Sequence, residues 1–184
     1  MPPTELSKGA NTTLGPVGAL SALVVGVSWQ SGSLDCDVCA IVCGPERKVV
    51  DDDYFLFWDH VQSPDRAVTL VWQEQPADRG ADRAQVLMAL ADLAAPAERI
   101  VVTLSTIEDD ASLVAVTDIA MRVLDPSTGE ELATFRMPRT EGPEACLLLL
   151  EVYQHQGSWK VRAIGQGYRS GLRGLGSDFG VNIV

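Results

Sequence analysis

Asp82–Pro96, DRAQVLMALADLAAP, is the stretch whose reading decides the fold class. Its Ala, Leu and Met content favours a helix by intrinsic propensity, and its apolar spacing agrees. Nearly everything around it points the other way. ALVVGVSW (Ala22–Trp29), LDCDVCAIVC (Leu34–Cys43), YFLFW (Tyr54–Trp58) and AVTLVW (Ala67–Trp72) precede it. RIVVTLSTI (Arg99–Ile107), LVAVTDIAMRVL (Leu113–Leu124), EELATFRM (Glu130–Met137), ACLLLLEVYQ (Ala145–Gln154) and SWKVRAIGQGY (Ser158–Tyr168) follow it. These runs are β-branched or aromatic and of strand length. Turn signals separate them, such as Gly44-Pro45, Ser63-Pro64-Asp65, Asp125–Gly129 and Gln156-Gly157. Short strands at regular spacing predict an all-β fold, an antiparallel sandwich of two sheets. The tail SGLRGLGSDFGVNIV carries four glycines, so at most a short helical turn is expected there.

The 184 residues suit a single domain, 1–184, with one core. Hydrophobic residues make up 46% and charged residues 21%, a globular and not a disordered balance. A net charge of −11 attracts cations and repels phosphate backbones, and the 14 Lys and Arg form no dense run. Nucleic acid is therefore not an expected partner. The longest strongly apolar run, Ala145–Val152, is too short to span a bilayer. The opening MPPTELSKGANTTL holds no apolar run behind a basic start, so a cytoplasmic protein without a secretory leader is expected.

Two features of Ser33–His60 carry chemistry. On a strand, Asp35 and Asp37 project from one face, roughly 6.6 Å apart along the chain, while Cys36 and Val38 point to the other. Two such carboxylates need solvent, protons or a bridging cation, and calcium is the natural bridge because it takes several oxygen ligands in flexible geometry. A solvated acidic strand edge that resists aggregation explains the same residues. Cys36, Cys39 and Cys43 match C-x-x-C only formally. Within a strand, residues three apart face opposite sides, and neither a second C-x-x-C nor paired histidines complete a zinc set, so packing is the expected role. Glu108, Asp109 and Asp110 read as a solvated loop, and His155 as an exposed turn residue. Glu74–Asp82, with Asp78 and Asp82, forms a second acidic loop able to approach the first at one end of a sandwich. No nucleophile elbow, Walker loop or dinucleotide fingerprint is present, so no enzyme is expected.

Taken in order, several landmarks resemble a known family. They are Leu6-Ser7-Lys8-Gly9 with Asn11, Val25–Trp29, Leu34–Asp37, Phe55–Asp59, Ser63–Asp65, Glu151–His155, Trp159–Tyr168 and Asp178–Asn182. Over nearly the whole chain the sequence resembles TerD-type tellurium-resistance and stress-response domains. The resemblance implies a bacterial, non-enzymatic β-sandwich that binds Ca2+ through clustered acidic loops. It implies a site with Asp35, Asp37 and Asp59 as its core and Asp78 and Asp82 as a second wall. It also implies a strand over Ala84–Leu90, overriding the helix propensity. The chain departs from the family pattern in Gln73–Gln85, where Arg79 and Arg83 intrude and only Gly80 remains of a glycine-punctuated loop. That departure leaves a second reading open: a paralogue that has lost calcium and serves as a metal-independent protein-interaction module.

Overall fold

A computed structural model describes residues 1–73, 81–108 and 110–183. Two six-stranded sheets face each other. The first has the order β1-β10-β9-β3-β7-β6, with β1 Thr4–Leu6, β3 Leu23–Gln30, β6 Val68–Trp72, β7 Ala84–Met88, β9 Thr117–Asp125 and β10 Glu130–Arg136. The second has the order β2-β12-β11-β8-β4-β5, with β2 Asn11–Pro16, β4 Cys36–Cys43, β5 Phe55–Leu56, β8 Arg99–Thr106, β11 Cys146–His155 and β12 Ser158–Tyr168. Every pairing is antiparallel except β1 with β10. The N-terminal strands close one side: β1 joins the first sheet beside β10, and β2 joins the second beside β12.

Alternation along each strand builds the core. Val25, Val27 and Trp29 of β3 meet Val38, Ala40 and Val42 of β4 and Ile100, Val102 and Leu104 of β8 between the sheets. The decisive stretch is a strand. Ala84, Val86 and Met88 are buried in alternation, and β7 pairs with β3 on one side and β6 on the other. Leu90–Asp92 then forms a single 3₁₀ turn. Two ladders of hydrogen bonds and a buried face outweigh a modest helix propensity.

The tail departs from expectation. Gly171–Phe179 forms a nine-residue helix, α1, and not merely a short turn. Its Leu175 and Phe179 pack with Val181 against Cys39, Ile41, Val101, Cys146 and Leu148, on the outer face of the second sheet. Burial of this face supplies what its glycines withhold. Gly180 ends the helix in the left-handed conformation, φ 74°, and its N–H donates back to the Gly176 carbonyl. No helix among the described residues is long and apolar enough to cross a membrane.

Candidate functional site

The starts of β4, β7 and β9 and the ends of β3, β6 and β8 lie at one end of the sandwich, and Asp35, Asp37 and Glu108 are found there. The entry to β4 pairs with the exit of β8, placing Cys36 opposite Thr106 and Asp37 opposite Ser105. Just before that ladder, the Ile107 N–H donates to the Asp35 carbonyl at 3.2 Å. The Asp35 N–H in turn donates to Glu108 Oε1 at 3.2 Å. Glu108, which reads from sequence as part of a solvated loop, thus brings its carboxylate onto the Asp35 backbone. Only the β4–β8 pairing, between segments some 70 residues apart, could have revealed this.

Strand alternation sorts the side chains of β4. Val38, Ala40 and Val42 face the inter-sheet core, with Cys36 packed at its rim. Cys39, Ile41 and Cys43 face outward under α1, so Asp37 shares the outward face. The Asp37 carboxyl is half-buried, and burial raises its pKa above the usual carboxylate range. Among the described residues it has neither a hydrogen-bond partner nor an ion pair. Burial likewise pushes the Cys36 thiol up to about 11; nearby Arg83 opposes that rise, while Asp35, Glu108 and Asp37 add to it. Arg83 caps this end of the core. Its guanidinium lies 4.6 Å from the Trp29 ring centroid and donates to Ser31 Oγ at 3.3 Å.

The other expected ligands are dispersed. Strand β5 runs along β4 toward its Asp37 end, with Ile41 opposite Phe55 and Ala40 opposite Leu56. The chain then reverses between Phe57 and His60, leaving Asp59 exposed in the turn. Asp82 lies on the outer face of the first sheet, above Gly26. Its Oδ1 accepts from Arg122 Nε at 2.9 Å, and its Oδ2 from Arg122 Nη2 at 2.7 Å and Gln85 Nε2 at 2.8 Å. Asp37 and Asp82 therefore sit on opposite outer surfaces of two stacked sheets, themselves about 10 Å apart, too far to share an ion. Asp78 lies outside the described residues, but the base of its loop is fixed: Gln73 N–H donates to the Arg83 carbonyl at 2.9 Å. Among the described residues, no three acidic, histidine or cysteine side chains stand close enough together to hold a metal ion.

The cysteines follow their strand positions. Cys36 and Cys39 face opposite sides of the second sheet, all four thiols are free, and Cys39, Cys43 and Cys146 are buried. Burial raises the pKa of each, that of Cys43 and Cys146 to about 12. These are packing residues, not activated nucleophiles.

The TerD domain model matches residues 3–179. This chain belongs to the TerD family. It is 26% identical over 187 residues to a protein named tellurium resistance protein TerD from Serratia marcescens, with 97% of each chain covered. It is 24% identical over 189 residues to general stress protein 16U of Bacillus subtilis, covering 97% of this chain and 98% of that one. Among solved structures it is similar to a homologue of telluride resistance protein (TerD) from Streptomyces coelicolor A3(2). That match has a TM-score of 0.64 at 17% identity and covers 83% of this TerD-family chain and 92% of the other. At that identity the likeness speaks for the sandwich alone.

Proposed function

We propose that this TerD-family chain is a non-enzymatic resistance and stress protein that binds calcium at the loop end of its sandwich. Asp35 and Asp37 would supply carboxylates on the β4–β8 side, with Asp78, outside the described residues, as a further candidate ligand. The observation that carries this reading is Asp37, a carboxylate half removed from water with neither a cation nor a donor among the described residues. Its environment disfavours the charged form, and a divalent ion would reverse that. The donor set fits a hard cation: carboxylate and carbonyl oxygens, with the nearest thiol, Cys36, held protonated by burial. Bound calcium would supply charge neutralisation there and a further tie between the connections, beside the Asp35–Glu108 and Ile107–Asp35 contacts. The chain's own residues fix the frame, since the β4–β8 ladder orients Asp37 and the Gln73–Arg83 hydrogen bond holds the base of the second loop.

A metal-independent interaction module is the second reading. It is favoured by the Arg83 guanidinium at this same end and by the engagement of both Asp82 oxygens with Arg122 and Gln85. Calorimetric titration of calcium into chelator-treated protein, with magnesium as control, separates the two. Saturable binding at micromolar calcium, selective over magnesium and weakened at least tenfold in Asp37→Asn, supports the site. Absence of heat and an unchanged melting temperature would assign the chain to the second reading.

A further inference from the structure

The half of the second sheet's outer face that α1 leaves uncovered carries a group of cations in an otherwise acidic protein. At its centre is Glu151 of β11, fully buried, with Arg162 of β12 opposite it in register. Three guanidinia converge on this one carboxylate. Arg99 Nη1 lies 2.6 Å from Oε2, Arg47 Nη2 lies 3.5 Å from the same oxygen, and Arg162 Nη1 lies 3.5 Å from Oε1. Tyr153, the next outward residue on β11, lies beneath two of them, 4.8 Å from Arg99 and 5.4 Å from Arg162.

The cluster is unbalanced in charge and in hydrogen bonds. Three guanidinia against one carboxylate leave two positive charges in excess, on a chain whose net charge is −11. Each guanidinium carries five N–H donors, while a carboxylate offers roughly four acceptor sites, so most of the donors have nothing to meet at Glu151. The ion pairs also miss hydrogen-bond geometry: both Glu151 oxygens and Arg99 Nε are buried without a hydrogen-bond partner. An unpaired buried donor is costly, and water or an anion is the natural acceptor for it. Arg47 and Arg162 remain 47% and 41% exposed, leaving an approach from solvent.

We infer that Arg47, Arg99 and Arg162 form a binding site for a small multivalent oxyanion of the phosphate type, with Glu151 holding the three guanidinia in place. Planar guanidinia match such an ion, and three separate chain segments bring them together at one carboxylate. Tyr153 argues for the free ion over a nucleotide phosphate, because its ring is buried and overlain by guanidinia and offers no face on which a base could stack. The site is distinct from the acidic end. From Ser105, opposite Asp37, to Arg99 is six residues along β8, roughly 20 Å.

The test is calorimetric titration of inorganic phosphate into the full chain at constant ionic strength, chloride being the exchanged ion, with AMP in a parallel arm. Saturable phosphate binding below about 10 mM is expected, with AMP binding no tighter than phosphate. Arg47→Gln/Arg162→Gln, which leaves Arg99 to neutralise Glu151, should weaken phosphate at least tenfold while keeping its melting temperature in chloride. The inference is overturned if the wild-type chain shows no saturable binding, if the double variant binds as wild type, or if AMP binds more than tenfold tighter than phosphate.

Discussion

Substituting Gly26 by alanine tests how the outer face of the first sheet is built. Alanine in a strand is ordinarily preferred to glycine by about 0.5–1 kcal/mol, so the naive expectation is a small gain. Here the added Cβ would overlap the Asp82 carboxylate, which lies directly over Gly26. A free side chain would swing aside at little cost, but this one is held by two bonds from Arg122 and one from Gln85, and its side chain is only 6% exposed. Displacing it forfeits those charge-assisted bonds. Arg122 is 43% exposed, and solvent screening discounts their full worth. A loss of about 2–4 kcal/mol remains, or roughly 5–15 °C in melting temperature for a chain of this length. Asp82→Ala should cost a similar amount by removing the same network. In the Asp82→Ala background, Gly26→Ala should then be neutral or slightly stabilising, because nothing is left to displace. Urea unfolding of the four proteins in the cycle, followed by circular dichroism, measures the coupling. Additive losses would refute the account, as would a Gly26→Ala cost below about 0.5 kcal/mol in the native background.

Three further outcomes follow from named contacts and from burial. Asp65 accepts from Ser63 Oγ, from the Ala67 and Ala94 N–H groups and from the Tyr54 hydroxyl, so Asp65→Ala should cost about 2–3 kcal/mol by denaturant unfolding. Burial alone would raise the Asp65 pKa, but these four donors outweigh it and hold it below the ordinary value. The stability Asp65 confers is therefore present above the usual carboxylate range and lost as pH falls through its folded value, a loss the alanine variant should lack. Asp37 has the opposite sign. Its raised pKa favours the fold below the usual carboxylate value, and that benefit disappears as pH rises, so Asp37→Asn should stabilise the calcium-free protein at neutral pH. The thiols give an independent check. With Cys36 raised from 9.0 to about 11, alkylation of the native chain near pH 8 should run about a hundredfold slower than alkylation of the unfolded chain. A native cysteine reacting at the unfolded rate would contradict the packing assignment.

Much of the sandwich is legible in the sequence because its strands are β-branched runs ended by turn residues. Period-two alternation correctly separates Asp37 from Cys36, and Cys36 from Cys39. Strand β7 is a different case: its own residues read as helix, and its partners β3 and β6 impose the strand. Helix α1 is hidden by its glycines, since its stability resides in Cys39, Ile41 and Leu148, side chains contributed by distant strands. Placement of the acids needed the register as well. Only the alignment of Gly26 with Gln85 and Arg122 takes Asp82 to the surface opposite Asp37. Glu151 was masked by its apolar run, and its three arginines come from segments that no local pattern connects.

The closure of the sandwich by β1 and β2 has a consequence for synthesis. Thr4 awaits Ala133 and Asn11 awaits Arg162, so β1 and β2 can pair only with strands made more than a hundred residues later. While the ribosome is still extending the chain, the N-terminal strands must remain single and the edges they later cover stay bare. Contacts so distant in sequence slow folding and prolong the exposure of open strand edges. For a protein of a family whose members are named for stress and resistance, the nascent chain is thus itself a vulnerable form, protected only once β12 has emerged.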